Sequence, residues 1–368
     1  MKYTLSIEDK KKMRRLFQTK DDNINVADIY NEFLDNNPAA ISANDISGYL
    51  KEGKEEKEAY WLSFCDTIDM DPEDEMVDLI AQKYHMNEME KLNPDKYLNN
   101  PYLKNMRLLH GKSNRWELTD DYFAPYEGFI FQDTTVEDDT YREITSFGYF
   151  PTTFQYFEIL QDNKVWMSIT PHEIETMEKP IEQAKGKIIA FGLGLGYFPY
   201  MASLKEDVKE IYIVENDQNA IDLFNKEIFP KFHFKEKFKI IHKDALEYMK
   251  HDMEKEHFDF AFVDIWHTPD DGLELYLKAR KFAAEISKTV FSYWIEESML
   301  VMLRRAFITL IQEENEGSTD SDYQKEENFL DHLINRLHFI YKDLQVTSYQ
   351  QIHSLLSDDE LKKTACLI

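Results

Sequence analysis

Lys187-Ile188-Ile189-Ala190-Phe191-Gly192-Leu193-Gly194-Leu195-Gly196-Tyr197-Phe198 decides how the rest of the chain is read. An apolar run leads directly into three glycines within five positions, in a chain of 368 residues that holds only 11 glycines. That clustering predicts a buried strand, a sharp turn and then a helix. Glycine lets the backbone turn tightly and lets a ligand approach the peptide groups. The N–H groups that open the next helix then face that ligand.

Working outward, KIIAFG, IYIVEN, FKIIHK, FDFAFVDI and TVFSYWI are short β-rich runs between residues 187 and 295. PYMASLK, QNAIDLFNKEI, ALEYMKH and DGLELYLKARKFAAEI lie between them and read as helices. Strand–helix alternation predicts an α/β fold with a Rossmann-like, doubly wound parallel sheet. Ligands of such sheets bind outside the carboxyl ends of the strands. IYIVEN ends in Glu215, about 20 residues past the last glycine, where a ribose-binding acid is expected. FKIIHK runs to Asp244, which with Glu247 also forms a D-x-x-E capping pattern. FDFAFVDI brings Asp264 to the reacting end of the site, to hold an ammonium group or orient a nucleophile. His267 is a weaker candidate base, and Asp270 or Asp271 caps the next helix.

NAD-type binders favour G-x-G-x-x-G, whose third glycine would fall at Tyr197. The pattern here is G-x-G-x-G over Gly192, Gly194 and Gly196. With the later strand ends, it resembles the class I S-adenosylmethionine-dependent methyltransferase superfamily over residues 187–295. That resemblance implies S-adenosyl-L-methionine as cofactor. It implies that the three glycines shape the turn, Glu215 holds the ribose, Asp244 accepts from the adenine amino group, and the Ala245 backbone N–H reaches the ring. The texture is loosely similar to the spermidine-synthase branch, which carries a Gln in its first hairpin; Gln155 stands there in FQYFEILQDNKVWMS. That branch has an Asp inside the glycine turn, where this chain has Leu195. Many methyltransferases have an acid where Ala190 stands.

Residues 1–105 read as a helical N-terminal domain, 106–180 as a β-hairpin-rich region turning near Gln161–Lys164, 181–313 as the cofactor-binding domain, and 314–368 as an acidic linker and helical extension. Asp71-Pro72-Glu73-Asp74 looks like an N-cap followed by proline. A calcium loop from Asp69 is rejected, because positions six and twelve hold Asp74 and Ile80. After residue 295, Met299, Leu300, Leu303, Phe307, Leu310 and Ile311 line one helix face, with Arg304 and Arg305 in a solvated role. EENEGSTDSDYQKEEN reads as a solvated linker, and LQVTSYQQI as a further strand of the sheet. The aromatics Tyr122, Phe123, Phe129 and Phe131 read as core.

The formal charge of −27 argues against nucleic acid, whose binders need a basic footprint. Two cysteines, Cys65 and Cys366, make no disulfide framework or metal spacing. No signal peptide and no 18-residue apolar run is seen, so a cytoplasmic protein off the membrane is expected. No metal motif, nucleophile elbow or P-loop occurs. The sequence therefore reads as a methyltransferase acting on a small-molecule or protein acceptor, with Asp264 at the reacting end. An aminopropyltransferase using decarboxylated S-adenosylmethionine and a non-catalytic cofactor-binding protein are the alternatives. The oligomeric state is open, a homodimer included.

Overall fold

The computed structural model describes residues 1–106, 109–319, 323 and 328–368. Its centre is a five-stranded parallel sheet, reached through a hairpin. Strands β1 (Phe154–Gln161) and β2 (Lys164–Ser168) pair antiparallel. Asp162 and Asn163 between them both take positive φ, 52° and 64°, as a two-residue hairpin turn of matching twist requires. Helix α1 (Pro171–Gln183) follows, started by a proline that loses no hydrogen bond there.

The sheet then forms from β3 (Gly186–Phe191), β4 (Val208–Glu215), β5 (Phe238–His242), β6 (Phe260–Val263) and β7 (Val290–Tyr293). Its order is β5-β4-β3-β6-β7, all parallel. The intervening helices are α2 (Tyr197–Ser203), α3 (Gln218–Leu223), α4 (Ala245–His251) and α5 (Pro269–Ala283). Strand order runs outward from β3 in one direction and then in the other. Right-handed crossovers therefore put the two sets of helices on opposite faces. Ile188, Ile189, Ala190 and Phe191 are buried on both sides, as are all four residues of β6. This is why those strands read as continuous apolar runs.

Helix α6 (Glu296–Glu316) leaves the sheet through Ile295, which is held at φ 46°. The six apolar residues expected on its inner face are all buried. Helices Phe329–Tyr341 and Asp358–Ala365 pack on it, as does the 30-residue helix Ile7–Asn36. A separate aromatic core forms where Tyr30, Phe33, Tyr60 and Phe64 meet Phe147 and Tyr149. There Tyr60 stacks on Tyr149 at 3.8 Å between ring centres.

Several expectations are corrected. Of LQVTSYQQI, only Gln345–Val346 is extended, and it pairs with Lys2–Tyr3 rather than with the sheet. Ser348 caps a helix, Tyr349–Leu355, by accepting from the Gln351 N–H, and this ends the strand. The cap expected at Asp71 sits at Asp74, which accepts from the Met76 and Val77 N–H groups, while Asp71 closes a turn onto Glu73. The next helix cap is Thr268, not Asp270 or Asp271; Asp271 is the third-position partner of its capping box. Asp244 does accept from the Glu247 N–H, but Glu247 turns away to His251. Arg304 is not solvated: it is 1% exposed, donates to the Leu356 carbonyl and Asp358, and lies over the Tyr141 ring. Arg305 pairs with Glu143. EENEGSTDSDYQKEEN is not all a solvated linker: Glu313–Glu316 continue α6, Gly317 ends that helix at positive φ and Tyr323 is buried, while residues 320–322 and 324–327 fall outside the described residues. Among the described residues, no helix is long and apolar enough to cross a membrane.

Arg304→Met should lower the unfolding free energy by roughly 3 kcal/mol, because it strips the buried Leu356 carbonyl and Asp358 of their donor. Denaturant titration measures it.

Candidate functional site

A cleft of about 370 Å³ opens at the carboxyl ends of β3, β4, β5 and β6. That volume lies in the usual range for small-molecule sites. Gly192, Gly194, Glu215, Asp244, Ala245 and Asp264 all line it. Gly196 does not; it sits behind, against Phe224.

The three glycines have positive φ: 97°, 46° and 73°. Their missing side chains make room for protein. A Cβ on Gly192 would overlap the Asp264 carbonyl, one on Gly194 the Met167 sulfur, and one on Gly196 the Phe224 ring. The sharp turn is as expected, but this chain's own atoms fill the space glycine opens.

Glu215 ends β4 with one oxygen accepting from the Leu193 N–H at 3.2 Å and the other from the Asp217 N–H at 2.8 Å. Burial raises its pKa, and those backbone donors pull it partly back. A carboxylate has about four acceptor positions, so both oxygens keep capacity toward the cleft. Asp244 is exposed at the rim and caps α4. Asp264 follows β6, and burial raises its pKa to about 7.

Sequence reasoning missed Glu173. It lies in the first turn of α1, is 8% exposed, and shares the cleft with Asp264. Burial, with the Asp264 charge adding to it, pushes its carboxyl well above the usual range. Its Oε2 has no protein partner, and neither does the buried indole N–H of Trp266 on the same cleft. Buried polar atoms are rarely left so, and a ligand is one explanation. Neighbouring His172 is pushed down to about 4 by burial, so it is neutral at pH 7. Beyond the proline and acid that start a helix, no local signal marks Glu173.

Hairpin strand β2 forms another wall. Its pairing slips between Val165 and Met167, a bulge around Trp166. Trp166 meets His267 edge-on at 3.6 Å between ring centres. His267 Nδ1 lies 2.9 Å from Asp271. Met167 accepts from the Leu195 N–H at 3.4 Å. Gln155 stays outside, exposed and bonded to Asp120. Phe129 and Phe131 are core and Tyr122 is exposed; neither these nor Phe123 line the cleft. The lining holds four carboxyl groups and one histidine, with no Lys or Arg. Among the described residues, no group of three or more His, Cys, Asp or Glu could hold a metal ion.

No family model matches the chain, and no curated protein matches it. Solved structures similar to it include a spermidine synthase in complex with the transition-state analogue AdoDATO, with 14% identity, TM-score 0.33, 54% of this chain and 63% of that one covered. Another is spermidine synthase from Thermotoga maritima, with 15% identity, TM-score 0.29, and 47% and 60% covered. Less than two thirds of each of those chains is spanned. At these values the likeness assigns neither family nor activity, and the architecture stands on its own strand order.

Between the ordinary Asp value of 3.8 and about 7, folded Asp264 keeps a proton that the unfolded chain has lost. Stability therefore falls as pH rises through that window. Asp264→Asn should gain stability relative to wild type between pH 5 and pH 8, read by denaturant titration at both. His172 acts oppositely, costing stability as pH falls from 6.5 toward about 4.

Proposed function

We propose that the cleft binds an S-adenosylmethionine-type nucleoside and that the chain is a transferase, moving the methyl group to an amine on a small-molecule or protein acceptor. One observation carries this: a cleft free of Lys and Arg, lined by four carboxyl groups, ends at the buried Glu173 and Asp264 beside the glycine turn. Such a site favours a ligand with positive charge.

Glu215 accepts the ribose hydroxyls, and Asp244 with the Ala245 N–H takes the adenine edge. The unpartnered Glu173 Oε2 supports the fit, since a donor group of the ligands would satisfy it. When bound, the donor's sulfonium supplies the electrophilic carbon. Asp264 takes the proton that an ammonium acceptor must shed, and a pKa near 7 suits a general base at neutral pH. Trp166 and Trp294 supply aromatic faces for cations along the walls. Orientation of the two reactants is the main requirement for in-line displacement.

One observation favours a second reading, aminopropyl transfer from decarboxylated S-adenosylmethionine. The Leu193 and Leu195 N–H groups are engaged by Glu215 and Met167, and no lining cation remains to pair with a donor's carboxylate. A decarboxylated donor needs no such partner.

Calorimetric titration with S-adenosylmethionine, its decarboxylated form and NAD separates these readings. Micromolar binding of S-adenosylmethionine that weakens by about 1–3 kcal/mol in Glu215→Ala is expected. Tighter binding of the decarboxylated form selects the second reading. Binding of NAD alone, or of none of the three, overturns both.

A further inference from the structure

The glycine turn is gripped from outside the sheet, by residues that do not line the cleft. Two short helices, Pro94–Leu98 and Pro101–Asn105, lie behind it. The fully buried hydroxyl of Tyr102 donates to the Leu195 carbonyl. Its ring meets Tyr197 and Tyr200 edge-on, at 5.4 and 5.3 Å between centres. Asn100 donates to the Tyr197 hydroxyl at 2.8 Å, and Asn105 to the Tyr200 hydroxyl at 3.1 Å. On the other side, the Leu195 N–H is held by cleft-lining Met167. Leu195 is flanked by Gly194 and Gly196, the residue type with the most conformational freedom to lose. A turn this soft needs holding if it is to present one shape to a ligand.

We propose that Tyr102 is a positioning residue for the ligand site. It fixes the Leu195 peptide and so ties the helix Pro101–Asn105 to the ligand site. Its effect on affinity rests on the nucleoside reading above; its effect on the turn does not.

The test uses Tyr102→Phe, which keeps the ring and removes the hydroxyl. Tyr97→Phe is the control. Tyr97 is also buried in this segment, and its hydroxyl donates to Glu175 at 2.7 Å instead of to the turn. Hydrogen exchange is followed on the ligand-free full chain, and S-adenosylhomocysteine binding by calorimetry. Tyr102→Phe should speed exchange of the amides of residues 193–197 and weaken binding about 10-fold, the order of one neutral hydrogen bond. Tyr97→Phe should leave both within 2-fold of wild type. Unchanged exchange in Tyr102→Phe, or equal effects from both variants, overturns the proposal. If exchange quickens but wild type does not bind S-adenosylhomocysteine, the nucleoside reading fails and the clamp on the turn stands.

Discussion

At the end of the central strand, the Gly192 backbone sits against the Asp264 carbonyl with no room for a single carbon between them. β3 and β6 are neighbours in the sheet, and the Asp264 N–H donates to the Phe191 carbonyl at 2.9 Å. On the other side of β3, the Gly192 N–H donates to the Val214 carbonyl at 2.9 Å. Three strand ends are thereby drawn together at one point, and Glu215 and Asp264 emerge from two of them. A side chain at position 192 would wedge β3 from β6 and open the floor of the cleft. The acidic site is thus a consequence of backbone packing, with the turn as its hinge pin.

Around that point, elements from three parts of the chain complete the walls. The helix after the hairpin contributes Glu173, the hairpin contributes Trp166 and Met167, and the loop after β6 contributes Trp266 and His267. Burial makes Glu173, Asp264 and Glu215 costlier to ionise, and the Asp264 charge adds to the cost at Glu173. Folding alone does not favour such an arrangement, because burial destabilises the charged form of a carboxyl group. Its persistence beside unpartnered polar atoms sets it apart from the paired charges elsewhere, where Arg305 meets Glu143 and Lys243 meets Asp252.

The sheet was legible because buried parallel strands and amphipathic helices differ in period, and because glycines mark the turn where β3 stops. Glu215 and Asp264 followed from their places at strand ends. The Met167 contact was not legible, since a hairpin's docking onto a distant turn leaves no local pattern, and the bulge that re-aims its side chains depends on strand pairing. Glu173 reads locally as an ordinary acid in a helix's first turn, and only the placement of α1 turns it toward Asp264. Arg304 reads as solvated because basic residues on helices usually are. Its burial depends on Leu356 and Asp358, more than 50 positions away. Gln345–Val346 was assigned to the wrong sheet for a related reason, because two residues carry no information about which edge they join.

That last pairing bears on how the chain is made. Lys2–Tyr3 finds its hydrogen-bonding partner only when Gln345–Val346 has been synthesised, separated from it by nearly the whole sequence. At about 5–20 residues per second, translation of the intervening stretch takes roughly 20–70 seconds. The five-strand sheet, contained between residues 186 and 293, is complete in sequence before Gln345 is reached. During that interval helix Ile7–Asn36 waits for α6, its buried face without its final cover. The packing of that helix therefore rests on contacts distant in sequence, which loop closure makes slow to form.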